Sequence, residues 1–289
     1  MRYEPARPAG PGTMGHANRA VTVLGTRSPL EAAVCQALSA SGYQPAPPGS
    51  DAPVLVIAGE LALPAGWLVS RHRRWRAARR RDRLIAMARL ARERGATRLV
   101  ALSSALLCGR APGAGPGRSW LRGTRPEAAR ALAAEAAAHA FAGLGGTAVV
   151  LRLGWTYGDT DRLTRQILAA AARGWLLLDG PPGASIPAIE ISDAASAAVA
   201  ALTAPAGLYY VTDGSPRAQH ELADAISAAV GRELHPLEDE SWGLFRCSAP
   251  VDGAEFRAVT GWRPRFPDSA ERLSQLCRAR PGSFSRSRR

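Results

Sequence analysis

Lysine is absent: all 37 basic residues among the 289 are arginine. That excludes Schiff-base catalysis, a P-loop lysine on phosphate and any Tyr-x-x-x-Lys proton-transfer pair. Cysteine is scarce, with Cys35, Cys108, Cys247 and Cys277 far apart and no CxxC spacing. No metal site and no disulfide framework is expected; the four read as reduced thiols of a cytoplasmic protein. No apolar run of about 18 residues occurs, and the first nineteen residues lack the apolar core of a secretory signal. Aromatic residues make up only 6% of the chain. Some of this bias follows from GC-rich codons, but the exclusions hold whatever its cause.

Alanine, by contrast, fills about one position in five, which favours helix-rich layers. Charge is uneven. The net charge is +13, yet residues 71–98 hold twelve arginines against Asp82 and Glu93, and the last residues, SFSRSRR, add a basic tail. The remaining body is mildly acidic, unlike a nucleic-acid module that is basic throughout. The stretch RHRRWRAARRRDR at 71–83 opens a helix expected over 69–94. It reads as a solvated amphipathic face, an anion- or protein-binding surface, or a dimer interface.

Short continuous apolar runs alternate with helical patterns. Strands are expected at 20–25, 54–58, 98–104, 147–152 and 207–211, and helices at 29–38, 69–94, 126–141, 161–173, 193–202 and 220–230. This alternation means a parallel sheet covered on both faces: a doubly wound, Rossmann-like α/β fold with ligands beyond the carboxyl ends of its strands. The organisation expected is a tail over 1–19 (Met14 being a second candidate start), a Rossmann-like domain over 20–160, a smaller C-terminal substrate lobe over 161–280, some of it returning to the sheet, and a basic tail over 281–289. Residues 45–53 read as a Pro-rich loop, and 236–267 as part of the small lobe.

The stretches VTVLG at 21–25, VLRLGWTYG at 150–158, IEISDAASAAVAAL at 189–202 and EFRAVTGWRPRFP at 255–267 occur in an order that resembles the extended short-chain dehydrogenase/reductase (NAD-dependent epimerase/dehydratase) family. Within it the chain is similar to NDP-4-keto-deoxyhexose 4-ketoreductases of actinobacterial antibiotic pathways. The resemblance implies NAD or NADP, a sugar nucleotide and hydride transfer. It also exposes departures. Of the family's G-x-x-G-x-x-G turn, only Gly25 remains, with Arg27 and Ser28 as weak candidates, and Glu31 brings an acid to the first helical turn where pyrophosphate would bind. The Pro-rich 45–53 segment replaces the strand–helix–strand unit that reads the adenosine ribose. The family's Tyr and Lys fall near Pro126 and Arg130, and a guanidinium cannot exchange a proton near neutral pH. Ser185, Ile186 and Glu190 stand where relatives carry the diphosphate Arg and a His.

The candidate catalytic residues are therefore Ser104, Arg130 and Tyr157, and the degenerate cofactor residues are Gly25, Arg27 and Ser28. Cys108, Arg152, Trp155 and Glu190 are expected to line the substrate cleft, with Trp155 filling space. The expectation is a divergent protein of specialised, deoxysugar or antibiotic, metabolism that has lost conventional hydride transfer and needs no cofactor. It would work by oxyanion stabilisation without a redox step, or as an auxiliary pseudoenzyme. The alternatives are an atypical NAD- or NADP-dependent ketoreductase or epimerase, and an anion- or protein-binding module built on the Arg-rich helix. Partners are a small molecule in the cleft and a possible homodimer or partner protein through helix 69–94; neither nucleic acid nor a membrane is expected.

Overall fold

The computed structural model describes residues 19–25, 28–58, 71–108, 126–178, 181–214, 216–236 and 248–279. The chain begins with β1 (Ala20–Leu24), α1 (Pro29–Ala40), β2 (Gln44–Ala46), β3 (Val54–Ala58), α2 (Arg71–Glu93) and β4 (Arg98–Ser104). A 3-10 turn, α3 (Pro126–Gly143), β5 (Thr147–Leu153), β6 (Trp155–Tyr157), α4 (Arg162–Ala171), β7 (Trp175–Leu176) and β8 (Ser185–Ile186) follow. Next come β9 (Ala188–Glu190), α5 (Ile191–Ala200), β10 (Gly207–Val211), β11 (Arg217–Ala218), α6 (Gln219–Val230), β12 (His235–Pro236), α7 (Ala254–Thr260) and α8 (Ser269–Arg278).

Six strands form one parallel sheet in the order β10-β5-β4-β3-β1-β2. The doubly wound fold is the one the alternating pattern predicts. Its central strands read as unbroken apolar runs because helices cover both faces. Leu30, Val34 and Leu38, one helical face of α1, join α5 and the sheet residues Val21, Val23, Val56, Val100 and Leu151 in the first core. On the opposite face, Leu24, Ile57, Leu99 and Ala101 meet Ala134, Ala137, Ala138 and Phe141 of α3 and Ala88 of α2. Small residues there let the two helices lie close to each other and to the strands. A third core gathers around Trp155, Tyr157, Leu163, Ile167, Ile186, Leu222 and Leu273.

Two expectations change. The segment read as a Pro-rich loop from Pro45 contains β2, which pairs in parallel with β1 through Ala20–Gln44, Val21–Pro45 and Thr22–Ala46. Proline fits there because β2 is an edge strand whose outer side needs no donor. Part of the segment assigned to the small lobe instead closes the main core: Phe256 of α7 lies 5.8 Å from the Tyr209 ring and 5.7 Å from the Trp262 ring, and Trp262 Nε1 donates to Ser196 Oγ of α5 at 2.9 Å. Among the described residues, no helix is long and apolar enough to cross a membrane.

Phe256 is fully buried. Phe256→Ala is therefore expected to lower unfolding stability by about 3–5 kcal/mol, measured as a shifted urea midpoint. If residues 254–262 packed outside the main core, the change would be under about 1 kcal/mol.

Candidate active site

The carboxyl ends of β1, β3 and β4 open onto one side of the sheet, where α1 presents its N-terminus. Ser28 is the N-cap of α1: its Oγ accepts from Glu31 N–H at 3.1 Å, and Pro29 follows at the first helical position. Gly25, directly after β1, shows this turn a face without a side chain. The Glu31 side chain folds back onto that face. A Cβ at position 25 would overlap the Glu31 carboxyl group and lie 2.7 Å from its Cγ. Arg27, the third residue assigned to this turn, lies outside the described residues.

The carboxyl end of β4 carries Ser103 and Ser104. Ser104, 2% exposed, accepts from Leu106 N–H at 3.2 Å and so caps the 3-10 turn Ala105–Cys108. Cys108 closes that turn; its side chain is outside the described set. Ser103 donates to Glu135 Oε1 of α3 at 2.6 Å. Arg152 of β5, opposite Ser103 in register, grips the same carboxylate twice, Nε to Oε1 at 2.8 Å and Nη2 to Oε2 at 2.9 Å. Its Nη1 also donates to the Tyr210 hydroxyl at 3.3 Å. Arg152 thus ties β5 to α3 by a bidentate, charge-assisted pair and to β10 by a single bond to the Tyr210 hydroxyl. Arg130, half-buried on α3, lies beside Arg80 of α2; desolvation and this like charge hold the Arg80 pKa below the usual guanidinium range.

Tyr157 and Trp155, two residues apart on β6, point into the third core, 0% and 1% exposed, with ring centroids 5.6 Å apart. Burial first, then the charges of Asp213, Glu190 and Asp193, push the Tyr157 pKa far up, so the phenol keeps its proton. Glu190, 3% exposed, is the N-cap of α5 and accepts from Ser192 N–H at 2.6 Å and from the Ser192 hydroxyl. Its Oε1 lies 3.9 Å from Arg272 Nη2.

Sequence reasoning missed the groups around this phenol. Asp213, two residues beyond β10, is 1% exposed; one oxygen accepts from Gly214 N–H at 2.8 Å. Its other oxygen, the Tyr157 hydroxyl, Ser269 Oγ and Arg272 Nε are buried without a well-formed hydrogen bond. Asp193 is instead fully used, accepting from Arg265 N–H at 3.0 Å and Phe266 N–H at 2.9 Å. The available signal was an Asp two residues beyond a buried strand. Desolvation, assisted by Asp268 and opposed by the Gly214 N–H and the Ser269 hydroxyl, raises the Asp213 pKa to about 7.

No protein-family model and no curated protein matches the sequence. Solved structures do. The human epimerase family protein SDR39U1 (isoform 2) with NADPH superposes with a TM-score of 0.69 at 21% identity, covering 89% of this chain and 99% of that one. The dTDP-glucose 4,6-dehydratase of Bacillus anthracis with NAD gives 0.68 at 13% identity, over 91% and 97%. MoeE5 with UDP-glucose and NAD gives 0.68 at 17%, over 89% and 97%. The chain has the extended short-chain dehydrogenase/reductase fold.

These neighbours overturn one expectation. The losses at 25–31 led to a protein without a cofactor, yet proteins sharing this short-chain dehydrogenase/reductase fold over nearly its whole length hold NADPH or NAD. Gly25 and the N-cap Ser28 stand at the head of α1, with the Glu31 side chain against the glycine. What stands in that space is the far end of a flexible side chain, Glu31, not backbone.

Asp213 carries a pH dependence. The folded chain holds its proton up to about pH 7, the unfolded chain only to about 4. Its contribution to stability is full below pH 4 and is lost as pH rises to 7, at about 1.4 kcal/mol per pH unit. Asp213→Asn is expected to flatten the fall in urea midpoint between pH 5 and 7.5. An unchanged slope would show that Asp213 does not titrate there.

Proposed function

We propose that this chain binds a nicotinamide dinucleotide, with a small nucleotide-sugar-type molecule beside it, and lacks the tyrosine–lysine proton transfer of conventional reductases with this fold. The observation that carries the reading is the sealing of Tyr157 in the third core. The other described tyrosines are engaged elsewhere: Tyr43 packs on the first core, Tyr209 donates to Pro205 O at 3.2 Å, and Tyr210 meets Arg152. The position expected for the family's tyrosine is Pro126.

Gly25, Ser28 and the N-terminus of α1 would hold the dinucleotide's pyrophosphate. When bound, that group supplies a hydride donor or acceptor. The chain's own contribution is polar. Ser104 Oγ already accepts from Leu106 N–H and keeps its own proton to donate to a ligand carbonyl. Arg130 adds fixed positive charge that stabilises an oxyanion without moving a proton. The result is a site for binding and polarising a carbonyl compound, suited to an auxiliary role in specialised metabolism. Titration of the purified protein with NADPH and NADH by calorimetry is expected to show saturable binding that tolerates moderate salt. Mixing with the reduced cofactor and a nucleotide-linked keto sugar is expected to leave the nicotinamide absorbance unchanged. Failure to bind either dinucleotide sinks the reading.

A second reading, a working reductase or epimerase that takes its proton from water, is favoured by MoeE5, solved with UDP-glucose and NAD. Under it, turnover occurs, read as nicotinamide oxidation for a reductase or as conversion of the sugar nucleotide to its epimer, survives Tyr157→Phe and falls at least tenfold in Ser104→Ala.

The partner surface is read from α2. A shallow groove of about 440 Å³ along this helix is lined by Asp82, Ile85, Ala86, Arg89, Leu90 and Glu93, and Leu90 is 44% exposed. Apolar residues flanked by both charge signs on one stripe complement the same stripe reversed, so a second copy of the chain is the proposed occupant. Light scattering is expected to give a dimer mass that drops to the monomer in Leu90→Arg; an unchanged mass removes the proposal.

A further inference from the structure

We infer that α8 is a proton-controlled cover: it stays docked while Asp213, buried beneath its head, holds a proton, and it lifts away more often once that proton is lost. The basis is the way the chain closes over this carboxyl group. On one side the Asp213 backbone is fixed, its N–H donating to Ala188 O of β9 at 2.8 Å. On the other side lies the start of α8. Gly214 meets Pro267 O so closely that a Cβ at 214 would overlap it, and the Ser269 hydroxyl faces the carboxyl group. One carboxyl oxygen accepts from Gly214 N–H, while the other is buried without a good partner. Around this group and the Tyr157 phenol of β6 stand Glu190 at the end of β9, Asp193 on α5 and Asp268 at the N-cap of α8. The cations nearby are engaged with other groups. Arg217 of β11 pairs with Asp268 and with Glu221 of α6. Arg272 of α8 lies over the Phe266 ring at 4.1 Å, its Nη2 3.9 Å from Glu190, and Arg257 of α7 has its Nη1 beside Gly253. A carboxylate among these groups is poorly compensated, so loss of the proton favours any opening that admits water. The proton is held to about pH 7 with α8 docked and only to about 4 once the group is hydrated.

The element able to make that opening is α8. β9 and β10 are tied to neighbouring strands by backbone bonds. Among the described residues, α8 is held to the rest by side chains: Leu273 and Leu276 in the third core, Ser274 Oγ donating to Ala225 O of α6 at 3.0 Å, and Asp268 on Arg217. Asp193 pins the N–H groups of Arg265 and Phe266, which sets the hinge at Pro267 and Asp268. Lifting α8 also uncovers Tyr157, which shares its core with Leu273 and Leu276. Hydrogen exchange of the full chain, followed by mass spectrometry from pH 5 to 8 and corrected for the intrinsic pH dependence of exchange, tests the cover. Amides of α8 are expected to be less protected than those of β4 and β5, the mark of a local opening. Their protection should fall about tenfold per pH unit from 5 to 6.5 and level off above 7. Asp213→Asn, neutral at every pH, should hold α8 at its acid-side protection throughout. A carbon-13 titration of the wild-type Asp213 carboxyl should place its midpoint where the fall levels off. Protection of α8 that is flat with pH, that matches β4 and β5 everywhere, or that keeps its slope in Asp213→Asn overturns the inference. So does an Asp213 midpoint below 5, which decides the matter even where the variant does not fold.

Discussion

The third core depends on a one-residue joint. β5 ends at Leu153 in the main sheet, and β6 begins at Trp155 in a separate pair with β9. Gly154 alone spans the two. Its N–H donates to Val211 O at 2.9 Å, the last bond to the β10 side, and Trp155 N–H then donates to Pro187 O at 2.7 Å. A Cβ at 154 would lie 2.8 Å from that same Pro187 oxygen, so the chain can change sheets here only with the backbones in direct contact. The positions of Trp155, Tyr157, Glu190 and everything packed on them follow from this joint.

From the joint outward, polar groups are assigned mostly to holding elements together. Glu135 gathers Ser103, Arg152 and, through Arg152, Tyr210, so that β4, β5, β10 and α3 share one carboxylate. Asp193 holds residues 265 and 266 by their backbone, and Asp268 caps α8 while pairing with Arg217. Such bonds convert charges that look catalytic in a linear sequence into fasteners, because a partly buried ion left single is far costlier than one that is paired. The cluster at Tyr157, Asp213, Ser269 and Arg272 differs, polar and buried but incompletely bonded. The Gly25 turn differs again. There the Glu31 side chain of α1 lies against the glycine.

The sheet was legible because its strands are long enough to show their composition: VTVL, VLVIA and RLVALSS are continuous apolar runs alternating with helical patterns, as strands buried between helical layers are. Helices α1 and α4 begin where Pro29 and Asp161 mark a helix start, whereas α8 went unread although Asp268 caps it. β2 was not legible, since Gln44-Pro45-Ala46 is three residues with a proline and no apolar run. The capping role of Glu190 was not legible for a related reason: glutamate is not among the preferred cap residues, so nothing local marked it as the start of α5. Sequence spacing placed Tyr157 after a strand but could not say which core its ring enters. At Glu31 the acid itself was visible and so was its conflict with phosphate. Its return onto Gly25 is a matter of side-chain rotation that no spacing encodes. The expectation of a missing cofactor rested there on the lost glycines, and the neighbours that hold NADPH or NAD overturn it.

The short edge strand has a consequence of another kind. An open sheet exposes backbone donors and acceptors along its outermost strands, and long flat edges recruit strands from other molecules. At one side of this sheet the last strand is β2, three residues long with Pro45 at its centre and a turn at Pro47 immediately after. At the other side β10 is covered by the approach to α7, where Gly253 packs against Thr212 N and Tyr210 O. Both ends of the ladder are therefore blunted, and a protein rich in parallel pairing is protected against edge-to-edge aggregation.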